Sequence, residues 1–264
     1  ATEAYSWLVQ YQQETAYLGA FAGLAAWDQA TYAPRKSHAH RARMFAAAAR
    51  LQHERSTHPK IGELLSLVEQ SDLVANPNAP EAVNIRGWRR AYDRASKIPE
   101  SLAVEMAHAQ SIGQAYWQDA RPQNDWEGFK PYLKRNFELA GQMADALGYA
   151  TERYDALLDL YEPGSTAAQI EPVFARLREA TVQLLDRIAG SSRRPNTSIL
   201  SRLYPRAAQE AFSYEAAGLI GFDLEGGRID PTAHPFAQSI GPGDVRLTTR
   251  YDEHFFNTAF FGTL

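Results

Sequence analysis

Apolar and polar residues alternate in a helical rhythm over the first 190 positions. From Thr2 the apolar residues Tyr5, Leu8, Val9, Tyr11 and Leu18 fall at roughly helical spacing, which predicts an opening helix. A second helix is expected from about Ser37 to His53, with an Ala-rich face suited to close packing. Pro59 and the run Asn76-Pro77-Asn78-Ala79-Pro80 mark breaks. The clearest stripe follows Asp125, through Phe129, Leu133, Phe137, Ala140, Ala144 and Leu147. Asp125 suits the N-cap of that helix, and Gly148 the residue just past its end. Another helix is predicted between about Ile170 and Ile188. Thr166 and Gln169 have the spacing of a capping box. Pro172 would remove a hydrogen bond from the interior, which moves the expected start nearer Glu171.

After Gly190 the pattern changes. SSRRPNTS is a polar loop, and a helix is expected from about Pro205 to Gly218. FDLEGGRID reads as two short strands around a Gly-Gly turn. DVRLTTRY alternates: Val245, Leu247, Thr249 and Tyr251 share one face, and Asp244, Arg246, Thr248 and Arg250 the other. That is a half-buried strand. From Asp252, a suitable cap, a last helix is expected with Phe256, Ala259, Phe260 and Thr263 on one face, flanked by Phe255 and Phe261. Four unpacked Phe side chains would forfeit roughly 6–12 kcal/mol. Further polypeptide is therefore expected to cover this helix and continue it. The expected fold is mainly α, with a small antiparallel sheet near the C-terminal end. Three sub-regions are expected: lid-like helices over 1–70, a helical body over 71–190, and the sheet with the start of a last helix over 191–264.

Composition narrows the classes. The 264 residues are 45% hydrophobic, enough to build one large core or two small ones. The net charge is −4 with both signs interspersed, so neither nucleic acid nor an anionic membrane surface is an expected partner. There is no cysteine, which excludes disulfides and thiolate chemistry. No apolar run reaches the roughly 18 residues of a membrane span, and the first residues lack the pattern of a secretory signal. A cytoplasmic location is the expectation.

Motifs for common chemistries are lacking. There is no Gly-rich phosphate loop and no Gly-x-Ser-x-Gly elbow. His53-Glu54-Arg55-Ser56-Thr57-His58 resembles a zinc-binding helix, but its histidines are five apart, about 140° around a helix. Pro59 also disfavours a helical His58. His38 and His40 do not share a helix face. His108 and His254 are lone histidines. No metal-ligand set is expected in this chain.

His234-Pro235-Phe236 followed by Asp244, Arg246 and Thr248 as Asp-x-Arg-x-Thr resembles the carboxypeptidase Taq family of metallocarboxypeptidases. Trp27-Asp28-Gln29-Ala30-Thr31, Lys97-Ile98-Pro99-Glu100 and Tyr154-Asp155-Ala156-Leu157-Leu158-Asp159 are similar to the family as well, and in the same order. The resemblance implies a metal-dependent enzyme that removes C-terminal amino acids from peptides. It implies Zn²⁺ or Co²⁺ in the complete enzyme, and a homodimer. In that family a phrase like Phe-Gly-Thr-Leu leads into His-Glu-x-x-His, so this chain is expected to be an N-terminal portion, inactive alone. The alternative is a short non-catalytic relative acting as a helical binding or dimerisation module.

The same resemblance implies that the strand over Asp244 to Thr249 borders a peptide cleft. From pattern alone it reads as a salt-bridged edge strand; such an edge could take an extended peptide. The substrate-cleft candidates are His234, Asp244, Arg246, Thr248, Arg250 and Tyr251. Arg246 could pair with a carboxylate or brace the cleft. Trp27 and Asp28 are expected to end the first helix, as a core residue and a cap.

Overall fold

The computed structural model describes residues 1–263, without the side chains of Phe260, Phe261 and Thr263. The helices are α1 (Thr2–Thr31), α2 (His38–Ser56), α3 (Pro59–Glu69), α4 (Pro80–Lys97), α5 (Glu100–Gln123), α6 (Trp126–Leu147), α7 (Arg153–Leu158), α8 (Ala167–Gly190), α9 (Arg206–Leu219) and α10 (Asn257–Thr263). Strands β1 (Gly227–Pro231), β2 (Ala237–Gly241) and β3 (Asp244–Thr249) lie between α9 and α10. Among the described residues, no helix is long and apolar enough to cross a membrane. The chain divides into two compact units, one of Ala1–Leu147 with Gln238–Arg246, the other of Gly148–Ala237 with Leu247–Leu264.

In the first unit, Ala4 and Leu8 of α1 pack with Ile61, Leu65 and Val68 of α3 and Ile85 of α4. Pro59 starts α3 rather than merely breaking the chain, because a first helical residue needs no N–H partner. The Ala-rich face of α2 packs against α5, with Ala42 fully buried. Helix α6 starts as the sequence predicts: Asp125 Oδ1 accepts the Gly128 N–H at 2.9 Å, and Gly148 follows with φ +81°. Its buried residues are Leu139 and Ala144. Phe137, about 200° around the helix from Leu139, is 70% exposed rather than part of the buried stripe. Helix α1 runs three residues past Asp28, so Trp27 and Asp28 do not end it.

In the second unit, α8 starts at Ala167, ahead of the predicted Glu171. The Thr166 N–H donates to Gln169 Oε1 at 3.0 Å, and the Ala167 N–H to Asp155 Oδ1 at 2.7 Å. These caps outweigh the one bond lost at Pro172. Of FDLEGGRID, only Gly227 onwards forms a strand. Asp223 instead closes a turn, its Oδ1 accepting the Glu225 N–H at 2.9 Å.

The sheet has the order β1-β3-β2 and is mixed rather than purely antiparallel. Strands β2 and β3 form a hairpin through Gly243, at φ +72°. The connection 232–236 carries the chain from β1 across the end of β3 to β2, so β1 and β3 run in parallel. Helix α10 begins at Asn257, later than predicted, because Asp252 makes a turn instead of a helix cap. Its Oδ1 accepts the His254 N–H at 2.9 Å, which leaves His254 exposed before the helix.

Candidate functional site

Strand β3 carries three of the candidates at alternate positions. In the first unit, the Arg246 guanidinium pairs with both carboxylate oxygens of Asp244 through Nε and Nη2. It also lies over the Trp27 ring, 4.5 Å from the centroid. Trp27 is 6% exposed. The arginine is thus held between a carboxylate and a π face, an arrangement that a planar guanidinium favours. One turn earlier on α1, Gly23 allows close approach to β2. A Cβ there would lie 3.1 Å from Gln238 Nε2.

In the second unit, Thr248 ties β3 to the His-Pro-Phe stretch. Its Oγ1 accepts the Phe236 N–H at 2.7 Å and donates to the Phe236 carbonyl at 2.8 Å. The Thr248 N–H donates to the same carbonyl at 2.9 Å. Thr248 and Thr249 are both completely buried. Thr249 Oγ1 donates to the Ala259 carbonyl of α10 at 3.2 Å. At Gly262 the helix comes so close that a Cβ would lie 2.7 Å from Thr249 Oγ1 and 3.4 Å from the Pro235 ring. The two sequence motifs and the last helix are therefore interlocked.

The remaining candidates lie around this interlock within the second unit. His234 is exposed, with Nδ1 3.0 Å from the Pro235 carbonyl oxygen. Arg250 is exposed and Tyr251 half-buried, both past the end of β3 rather than on it. Burial pushes the Tyr251 phenol above its ordinary value. The Arg206 guanidinium lies 5.5 Å from that ring. Buried Gln209 fixes the segment after β3 to α9, donating to the carbonyls of Tyr204 at 2.7 Å and Asp252 at 2.9 Å. Phe256 packs against Tyr204 and Phe212, each at 5.2 Å between centroids. It is covered by this chain itself, whereas Phe255 stays 47% exposed. The expectations for the Phe260, Phe261 and Thr263 side chains lie outside the described residues.

The edge-strand reading is corrected. Strand β3 is central, with β1 on one side and β2 on the other. Its backbone groups are engaged by its neighbours, so a peptide cannot add to it as a new strand.

Among the described residues, no group of three His, Cys, Asp or Glu comes together. His53 Nε2 is 2.6 Å from the Ile98 carbonyl. His58 caps α3, its Nδ1 accepting the Lys60 N–H at 3.2 Å. These two serve the scaffold.

The other motif stretches also have physical reasons. Asp28 pairs with Arg41. Buried Gln29 donates to the Ser111 carbonyl at 3.3 Å and accepts from the Ser111 hydroxyl at 3.1 Å. Lys97 Nζ donates to the Leu147 carbonyl at 3.1 Å. Asp155 caps α8, and Asp159 Oδ1 accepts the Gly164 N–H at 2.9 Å. Sequence reasoning missed Trp27 as the platform of Arg246, and Thr249 and Gly262 as the seat of α10. The glycine inside the aromatic helix was the available signal for the last.

Residues 7–264 match the family described as carboxypeptidase Taq (M32) metallopeptidase. Thermostable carboxypeptidase 1 of Thermus thermophilus is 54% identical over 270 residues, covering 99% of this chain and 53% of that protein. A crystal structure named BsuCP is 30% identical with a TM-score of 0.94, covering 99% of this chain and 52% of that one. The M32 carboxypeptidase of Deinococcus radiodurans R1 is 32% identical with a TM-score of 0.82, covering 99% and 52%. The chain spans about half the length of the curated relatives it matches. With a family match over nearly its whole length and motifs that interlock in space, this chain belongs to the carboxypeptidase Taq (M32) metallopeptidase family.

Proposed function

We propose that this chain is the N-terminal part of a single catalytic domain that removes C-terminal amino acids from peptides, and that it is inactive alone. The observation that carries this reading is the Thr248–Phe236 interlock, with α10 seated against Thr249, in a chain that matches the family over residues 7–264. The interlock fixes the direction of α10 relative to His234, Arg250 and Tyr251. Arg246 is a brace within the first unit rather than a group that binds a substrate carboxylate, because Asp244 takes both prongs of its guanidinium. Among the candidates His234 and Arg250 are exposed, and they are the groups we place against the peptide.

The metal, Zn²⁺ or Co²⁺, belongs to the complete enzyme, with its ligands outside this chain. The complete enzyme works as a cytoplasmic homodimer on peptide substrates.

The test is made on the native protein. An N-blocked peptide is incubated with it, and products are followed by mass spectrometry. Stepwise loss of C-terminal residues is expected, abolished by a chelator and restored by Zn²⁺ or Co²⁺. A native protein of 29.5 kDa that hydrolyses nothing would overturn the proposal in favour of a binding or dimerisation module. Internal cleavage of the peptide would overturn the carboxypeptidase assignment.

A further inference from the structure

Helix α8 has 24 residues and none of them is buried. Most of its apolar side chains lie on one side, with Val182, 50% exposed, off that side. At about 100° per residue, Val173, Phe174, Leu177, Leu184, Leu185 and Ile188 fall in one band about 120° wide. All six are more than half exposed, from Val173 at 51% to Leu177 at 58%. Arg176, Glu179, Gln183 and Asp186 take the opposite face. The helix is not a loose end, since Asp155, Thr166 and Gln169 fasten its first turn. A capped amphipathic helix with its whole apolar stripe in water is a docking surface awaiting its partner.

The relatives indicate which partner. The same fold, at a TM-score of 0.94, makes up only 52% of the BsuCP chain, so about as much chain again accompanies it there. In one polypeptide that remainder is present in equal number and at high effective concentration. It therefore has the advantage over a second copy of this chain. We infer that the apolar face of α8 docks the half of the family fold that this chain does not match. The inference rests on the proposal that the chain is one part of a larger carboxypeptidase. It adds the surface through which the two parts associate.

The probe is the portion of the Thermus thermophilus relative that this chain does not match, made as a separate polypeptide. It is mixed with residues 1–264, and association is followed by sedimentation, hydrogen exchange and hydrolysis of an N-blocked peptide. A one-to-one complex with new exchange protection along α8 is expected. Replacing Leu177→Asp together with Leu184→Asp should weaken association by about a hundredfold. The circular dichroism of the chain alone should not change, because both side chains are already in water. A chimera joining residues 1–264 to that portion, compared with the chain alone, covers the case in which the separate portion does not fold. Association or fusion that leaves α8 unprotected overturns the inference, as does a homodimer formed through α8. Hydrolysis reports separately on function. An active complex with unprotected α8 would sink only the docking inference, and an inactive one with protected α8 only the carboxypeptidase reading.

Discussion

Thr248 grips Phe236 by both of its backbone polar groups, accepting the N–H at 2.7 Å and donating to the carbonyl at 2.8 Å. A single hydroxyl thereby joins the strand motif to the His-Pro-Phe stretch. Thr248→Val keeps the shape and removes the hydroxyl, leaving the Phe236 N–H without its acceptor. The expected loss is about 1–3 kcal/mol of unfolding free energy. Thr248→Ser keeps the hydroxyl and should lose less. Urea titrations of the two variants decide it, and a loss in Thr248→Ser with none in Thr248→Val would mean that the methyl group, not the interlock, matters.

Arg246 is positioned by a fork and a face. Arg246→Lys should destabilise the first unit, because an ammonium cannot reproduce the two-pronged contact with Asp244. Trp27→Leu removes the π face and should cost about 2 kcal/mol or more, since it also shrinks a buried side chain. A double-mutant cycle between positions 27 and 246 should show coupling. Strict additivity would show that the ring and the guanidinium do not support each other.

Helices α6 and α8 were legible because their own caps and spacing specify them. Asp125 and Gly148 bound α6 as their chemistry predicts. Thr166 and Gln169 likewise start α8 where the capping pattern lies, despite Pro172. The alternation from Asp244 revealed a strand but not its neighbours. A central place in the sheet depends on where 232–236 leads the chain, and no local pattern encodes that. The same holds for Trp27. Trp27 is expected as a core residue, but its contact with Arg246 joins residues more than two hundred positions apart. Phe137 is the opposite case, an apolar residue in a plausible stripe that faces solvent because the buried line runs through Leu139.

His234 tests the site itself. It is exposed, with Nδ1 3.0 Å from the Pro235 carbonyl oxygen, so a role at the site is read as a change in kinetics larger than any change in stability. In the full-length enzyme, His234→Ala should reduce turnover at least about tenfold, or about 1.4 kcal/mol of transition-state stabilisation. Thermal unfolding of the same variant separates this from a loss of fold. Unaltered kinetics remove His234 from the site.

Tyr251 gives an alkaline signature. Burial raises its phenol above the ordinary value, with Ser213 and the Arg206 cation acting in the opposite direction. In the unfolded chain it ionises near pH 10. Above that pH the unfolded state has lost the proton while the folded state retains it. Stability therefore falls as pH rises from about 10 through the raised folded value, and Tyr251 contributes no slope below that window. Tyr251→Phe should flatten the decline above pH 10 in denaturant titrations. An unchanged slope would show that the phenol ionises alike in both states.

At Gly262, α10 lies close against the sheet. A methyl group there would lie 2.7 Å from the hydroxyl of Thr249, which is buried and bonded to Ala259 and so cannot swing away freely. Gly262→Ala relieves the helix of a glycine, worth about 1 kcal/mol in its favour. The clash works against that gain, and overpacking typically costs about 1–3 kcal/mol. If the clash dominates, the variant is less stable despite its better helix propensity. Adding Thr249→Ala removes the obstructing oxygen and should recover part of the loss, so the two substitutions together cost less than their sum. Chemical denaturation of the single and double variants measures this. A Gly262→Ala protein more stable than the parent would show that α10 is free to move off Thr249.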